Sequence, residues 1–301
     1  MKRYDNCHSP RIVAGDGRDV TATWHWPEGR PHTAVLIAPA LATPARFYER
    51  LARHLAAAGF LAVTFDYRGM ESRAAALAER GDLTRWIADA AAALEALHAA
   101  APSGTPVVWL GHSLGGQILP FVPHELLDRA VFVASGVAYW RWAKGPLRLA
   151  APIALRTVVP LSTRAAGYFP GRALRVFDDM PSSVMRQWAR WCLHRRYLGV
   201  DFPDAAGRFA AVKTPVTAFR IADDQLITQR AHDELDSWYS SAPLTSATIE
   251  APEPERTGIG HHGLFRCAHR RLWDLHLIPS LRGQPMAPRA ATSPRPEGAA
   301  G

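Results

Sequence analysis

Cysteine is scarce in this 301-residue chain: Cys7, Cys192 and Cys267 stand far apart, with no CxxC pair and no zinc-ligand spacing. An odd, sparse count of this kind excludes a disulfide framework and points to a reducing compartment. Long apolar runs are also missing. The most apolar stretch, Leu147 to Leu161, is interrupted by Arg148 and Arg156 and is too short to span a bilayer. The first residues, MKRYDNCHSPRIVAGDG, contain no apolar core of the kind a secretory signal needs. There is no internal repeat, and no nucleic-acid-binding module accompanies the basic residues. These absences predict a cytoplasmic protein without stable membrane insertion and without a nucleic-acid partner.

What is present suits a globular enzyme, with 48% hydrophobic and 21% charged residues. The net charge of +8 is unevenly placed. Between Arg141 and Arg208 stand twelve Lys or Arg against four Asp, so this segment alone carries the whole excess. Such a segment is either a solvated Arg-rich face or a surface that weakly attracts an anionic substrate or membrane.

From Thr33 onward the chain alternates strand-like and helix-like segments. TAVLIAPAL, FLAVTFDYRGM, PVVWL, RAVFVAS, TPVTAFRIADD and LTSATIEA read as short β-rich apolar runs. Between the first four lie ARFYERLARHLAAAG and the Ala-rich LTRWIADAAAALEALHAAAPSG, both with helical spacing. RAHDELDSWYSS separates the last two, and LFRCAHRRLWDLH reads as a closing helix. Apolar strands separated by helices predict an α/β protein with a mostly parallel central sheet flanked by helices. The alternation stops between Val137 and Arg208, a Trp-, Arg- and Pro-rich stretch without convincing strands, which predicts a mainly helical inserted cap. Within it, SSVMRQWARWCLHRR places Val184, Trp188 and Trp191 on one helical face. The expected organisation is a core from 1–136 and 209–281, a cap from 137–208 and a disordered tail from 282–301.

The strongest chemical signal is VVWLGHSLGGQ. Gly111, His112, Ser113, Leu114 and Gly115 form G-x-S-x-G between a β-rich run and a helix-compatible one. In that setting the serine sits on a strained strand-to-helix turn, and the glycines around it admit neighbouring backbone. A serine hydroxyl needs a base and an orienting acid, expected in the order Ser, Asp or Glu, His. Asp223 and Asp224 both end the strand TPVTAFRIA, but successive residues there point in opposite directions. Asp224 is favoured because Leu226 and Ile227 follow it at the offset usual for hydrolase acids.

The histidine belongs to TGIGHHGLFR. Gly258, Gly260 and Gly263 also match a dinucleotide fingerprint, G-x-G-x-x-G, but no acid follows about twenty residues on and no second strand completes a βαβ unit. A metal pair is equally unsupported, because adjacent histidines point apart and lack a nearby carboxylate or thiol partner. The segment is therefore expected to present an imidazole, from His261 or His262. The backbone N–H groups of Leu114 and of Leu41, on the loop after TAVLIAPA, are the expected oxyanion donors.

With these residues placed, the chain resembles the α/β-hydrolase superfamily, within it a group of bacterial α/β-hydrolases. The resemblance covers roughly Thr33 to Ile278, in the blocks IAPALATPARFY, VTFDYRGM, WLGHSLGGQ, GYFPG, QWARWC, ADDQLIT and IGHHGLFR. Similar sequences carry Ile-Gly-His, an aromatic residue and Gly in the last block. This match puts the catalytic histidine at His261 and places His262 at the aromatic's position. Pro39–Ala40 replaces the His-Gly found before the oxyanion residue in many relatives. The resemblance implies an α/β-hydrolase fold and a two-step Ser113–His261–Asp224 mechanism through an acyl-enzyme, with no cofactor or metal. The implied function is a serine hydrolase of carboxylic esters with a small or medium acyl group. The same triad would serve an acyltransferase, and a non-catalytic binding protein on this scaffold is the third reading. Tyr139, Trp140, Trp142, Trp188 and Trp191 are the cap's aromatic content and the candidate walls of an acyl pocket.

Overall fold

The computed structural model describes residues 9–251 and 258–284. The expected tail from 285 onward therefore lies outside the described residues. Seven strands form the central sheet: β1 (Ala22–His25), β2 (Thr33–Ala38), β3 (Phe60–Phe65), β4 (Val107–His112), β5 (Arg129–Val133), β6 (Val216–Ile221) and β7 (Leu244–Ile249). Their spatial order is β7-β6-β5-β4-β2-β3-β1. All pairs are parallel except β1 with β3, where Ala22 faces Phe65 and Trp24 faces Val63.

Side chains on a strand alternate between faces, so a strand covered on both sides must be apolar throughout. In β2, Ala34 and Leu36 join one core while Val35 and Ile37 join the other. β3 divides likewise, with Leu61, Val63 and Phe65 against Phe60 and Ala62. The first core is closed by the helix Leu83–Ala100, through Trp86, Ala90, Leu94 and Leu97. The second is closed by Glu49–Ala57, through Leu51 and Leu55, and by the carboxy-terminal helical run through Trp273 and Leu277.

The six strands expected from Thr33 onward all form, and β1 is the addition. It is an edge strand with only Trp24 buried, too short to announce itself by burial. A second small sheet precedes it, pairing Ile12–Val13 with Asp19–Val20. The loop of that hairpin is tied to the core by Arg68, whose guanidinium reaches Asp16 Oδ2 at 2.6 Å and the fully buried Asp89 Oδ1 at 2.5 Å.

The closing helix needs correction. Instead of one helix from Leu264, a turn at Leu264–Arg266 leads into a helical run from Cys267 to Leu281, with a wider π-helical stretch at Trp273–Leu277. The Trp273 indole N–H donates to the Leu264 carbonyl, which ties the run back to that turn.

Between β5 and β6 the chain leaves the sheet through the helices Gly145–Arg156, Val158–Ala166 and Ser182–Leu193. One short antiparallel pair, Tyr168–Phe169 with Met180–Pro181, interrupts them, where no strand was expected. Polar bonds fasten this segment to helices packed on the sheet: Tyr197 Oη donates to Oε1 of Gln117, in the helix Leu114–Ile118, at 3.0 Å, and Leu83 N–H donates to Gln187 Oε1 at 2.7 Å. Among the described residues no helix is long and apolar enough to cross a membrane.

Candidate active site

Ser113 follows directly on β4 and precedes the short helix Leu114–Ile118. Its backbone has φ 50° and ψ −105°, a conformation that L-residues adopt only under strain. Close packing maintains it. A Cβ on Gly115 would stand 2.4 Å from the Ala38 carbonyl oxygen, so only glycine lets β2 lie against the turn. The Ser113 N–H is held by the Val133 carbonyl at 2.9 Å, which fixes the turn to β5 as well. Among the described residues Ser113 Oγ makes no hydrogen bond, and the side chain is partly exposed.

Asp224 and His261 meet beside this strand end. His261 Nδ1 lies 2.7 Å from Asp224 Oδ2, and both side chains are buried. The other carboxylate oxygen accepts the N–H groups of Leu226 at 2.7 Å and Ile227 at 3.1 Å. Burial alone would raise the Asp224 carboxyl, but the bonds from His261, Ile227 and Leu226 outweigh it and hold it below the usual carboxylate range. An ionised Asp224 accepts a proton-bearing Nδ1, which leaves His261 Nε2 with its lone pair.

Asp223 points elsewhere. Its Oδ1 accepts the Gly260 N–H at 2.8 Å, so it fastens the histidine loop from below. Gly258 gives it room, since a Cβ there would lie 2.0 Å from Asp223 Oδ2. Gly260 takes φ 57° and turns the chain into the four-residue helix that carries both histidines. Gly263 has no left-handed backbone, and a Cβ there would meet nothing closer than 3.5 Å.

Two residues that sequence reasoning passed over join the three loops. The His112 ring is fully buried, with Nε2 3.0 Å from the His261 carbonyl oxygen and Nδ1 2.7 Å from Tyr48 Oη. A carbonyl only accepts, so Nε2 carries the proton and Nδ1 accepts from the tyrosine hydroxyl. Tyr48 Oη in turn accepts the Ala40 N–H at 3.0 Å. One buried chain therefore runs from the loop after β2, through the residue before Ser113, to the backbone of His261. His112 is visible in the sequence only as a variable position of G-x-S-x-G, and Tyr48 only as one aromatic of ARFYERL.

Leu41 lies on the loop after β2, and Leu114 begins the helix after Ser113. Both are buried, and among the described residues neither backbone N–H has an acceptor. The loop's shape depends on Ala42, which takes φ 53° and whose carbonyl accepts from Asp178 of the inserted segment.

Comparison with known proteins agrees with this architecture. A family model described as serine aminopeptidase, S33 (Hydrolase_4) matches residues 29–178. Among solved structures, an esterase from Exiguobacterium antarcticum aligns with a TM-score of 0.56 at 15% identity, over 91% of this chain and 100% of the esterase. A thermophilic esterase from Thermogutta terrifontis aligns with a TM-score of 0.58 at 12% identity, over 94% and 100%. An N-formylmaleamic acid deformylase from Pseudomonas putida S16 gives 0.53 at 16% identity, over 87% and 98%. The chain has the α/β-hydrolase fold and is similar to that family's members over residues 29–178. A sequence search of curated proteins finds no match to this chain.

The aromatic residues of the inserted segment divide. Trp191 is a correction to the expected pocket wall. It is fully buried, and its indole N–H donates to Asp201 Oδ2 at 2.6 Å, so it packs inside the segment. Trp188 is half-buried against Phe177, and Tyr139 and Trp140 are partly exposed, which leaves these three able to face a ligand.

His112, His261 and His262 bring ring nitrogens within 4.8 Å of one another, a spacing at which a metal could be considered. The donor chemistry argues against it. Both His112 nitrogens are used, and His261 Nδ1 is committed to Asp224. Only His261 Nε2 and one nitrogen of His262 are left, fewer than the three or four protein ligands that zinc takes.

Proposed function

We propose that this α/β-hydrolase is a serine hydrolase of carboxylic esters, with Ser113 as nucleophile, His261 as general base and Asp224 as the orienting acid. The observation that carries the reading is the buried 2.7 Å bond between His261 Nδ1 and an Asp224 held ionised by its neighbours. It sits beside a serine in a strained strand-to-helix turn. His261 Nε2 takes the Ser113 proton as Oγ attacks the acyl carbonyl. The negative oxygen of the tetrahedral intermediate is met by the Leu41 and Leu114 N–H groups, each supplying about 3–4 kcal/mol to the transition state. Collapse expels the alcohol, which leaves with the proton held by His261. Water, deprotonated by the same imidazole, then releases the acid and restores Ser113.

Esters are favoured because the structural neighbours include esterases and lipolytic enzymes. Trp188, Tyr139 and Trp140 offer an aromatic lining for a small or medium acyl chain. The test is covalent labelling with a fluorophosphonate, followed by turnover of p-nitrophenyl esters of graded length beside amide substrates. Wild type is expected to label and to hydrolyse the short esters, and Ser113→Ala to do neither. Equal labelling of both proteins would sink the nucleophile assignment, and turnover of amides over esters would overturn the substrate class.

A further inference from the structure

The charge of the inserted segment is confined to one sign over a long stretch. No Asp or Glu occurs between Asp128 and Asp178. Within that stretch the helices Gly145–Arg156 and Val158–Ala166 pack inward through Leu155, Val159 and Thr163. Their opposite sides carry large apolar groups in solvent: Leu149 is 75% exposed, Ile153 64%, Leu161 68% and Val158 41%. Leu149 and Ile153 lie one turn apart on one helix, and Val158 and Leu161 nearly so on the next, so each pair forms a stripe. A soluble surface normally scatters such groups rather than grouping them.

Cations border the stripes. Arg148, Arg156 and Arg164 are exposed and, among the described residues, form no ion pair. By contrast Arg172, Arg190 and Arg208 are engaged by Asp178, Asp201 and Asp204. Beside the stripes a groove of about 590 Å³ opens toward the helix Ser182–Leu193, where Arg156, Arg186, Arg190 and His194 stand over Leu155 and Val159. Apolar floor and cationic rim together are the composition of an interfacial amphipathic surface.

We propose that these two helices dock the hydrolase on an anionic phospholipid bilayer, with the groove taking a lipid phosphate. The charge decides the occupant. A second copy meeting the same face would set Arg148, Arg156 and Arg164 against their own counterparts. A nucleic acid would leave Leu149, Ile153 and Leu161 without apolar contact. An anionic bilayer satisfies both features, with acyl boundary for the leucines and phosphates for the arginines.

The test is co-sedimentation of the full-length protein with vesicles of phosphatidylcholine alone and of phosphatidylcholine mixed with phosphatidylglycerol. Wild type is expected on the mixed vesicles only, with binding that weakens as salt is raised. Replacing Arg148, Arg156 and Arg164 by Gln should weaken that binding about 100-fold, at about fivefold for each cation near the surface. Leu149→Ser with Ile153→Ser and Leu161→Ser should weaken it about tenfold or more while leaving its salt dependence. All these side chains are exposed, so both variants should keep wild-type melting temperature and turnover of a soluble ester. Failure of wild type to bind mixed vesicles, equal binding to neutral ones, or unchanged binding by both variants would overturn the proposal. So would a dimer in solution that the Ser variant disperses.

Discussion

Tyr48→Phe removes one oxygen from a fully buried site and tests how the three loops are held together. The hydroxyl accepts the Ala40 N–H at 3.0 Å and donates to His112 Nδ1 at 2.7 Å, in a place without solvent. Burial pushes the phenol far above its ordinary range, so it keeps its proton at any working pH. Phenylalanine fills the same volume, and the cost is that of leaving two buried polar groups unpaired, about 1–3 kcal/mol each. Part is recovered by small shifts, so a loss of about 2–4 kcal/mol is expected. With an unfolding entropy of about 2 cal/mol/K per residue, a chain of this length should melt about 3–6 °C lower. Activity should fall further than stability implies. Ala40 adjoins Leu41, the proposed oxyanion donor, and His112 adjoins Ser113, and displacing such a donor by about 1 Å can cost up to about 100-fold. A fall in kcat of about 10–100-fold, with KM changed less than about threefold, is expected for an ester substrate. Tyr197→Phe is the control. It is equally buried and loses its bond to Gln117 Oε1, so it should lower the melting temperature while keeping kcat within about threefold. Full activity in Tyr48→Phe, or an equal loss in both variants, would refute the reasoning.

The other predictions concern the acid pair, the glycines and the second histidine. Asp224→Asn should lower kcat about 10⁴-fold by favouring the wrong imidazole tautomer, whereas Asp223→Asn keeps an acceptor for the Gly260 N–H and should stay within about threefold. Comparable losses in both would reassign the acid. Gly258→Ala should lose activity and about 2 kcal/mol or more, because its Cβ would overlap Asp223, while Gly263→Ala should be neutral; thermal melts and ester kinetics together decide. His262 has its imidazole pushed down to about 4 by burial and by repulsion from His261, so the unfolded chain takes up its proton first. Its share of stability is thus complete above about pH 6.5 and lost as pH falls toward about 4, an effect of about 3 kcal/mol. His262→Phe should flatten the urea midpoint over that window and retain ester turnover; an unchanged slope would show that His262 does not titrate there.

How much of this could be read from the sequence depended on the range of the interaction. β2 and β3 were legible because burial on both faces leaves each as a nearly unbroken apolar run, as were the apolar starts of β4 and β5, whereas β6 and the half-exposed edge strand β7 were legible from the resumed alternation of strand and helix. β1 was not, since an edge strand with one buried residue in four has no such signature. The strained turn at Ser113 was legible from the glycines on both sides of it, and Asp224 was favoured for the pair Leu226 and Ile227, whose amides its carboxylate accepts in the structure. Trp191 was misread because a helical stripe says which side is apolar but not whether a pocket or another helix meets it. Tyr48 and His112 were invisible for a different reason. They are joined across 64 residues, and His112 reaches His261 across 149, so only the fold places the hydrogen bonds that give them a role.

The crowding of three imidazoles has a consequence for the proposed proton transfer. The ring centroids of His112 and His261 stand 5.2 Å apart, and those of His261 and His262 4.8 Å apart. Three charges in so small a buried volume would repel strongly, so at most one ring can hold an extra proton. Burial pushes His112 far below its ordinary range and His262 down to about 4, with repulsion from His261 adding to both. Among the described residues neither has a carboxylate hydrogen-bonded to it, whereas His261 has Asp224 at 2.7 Å. The proton taken from Ser113 therefore has one place to rest, on the ring that Asp224 can balance. The two neighbouring rings stay neutral, which keeps uncompensated charge away from the nucleophile.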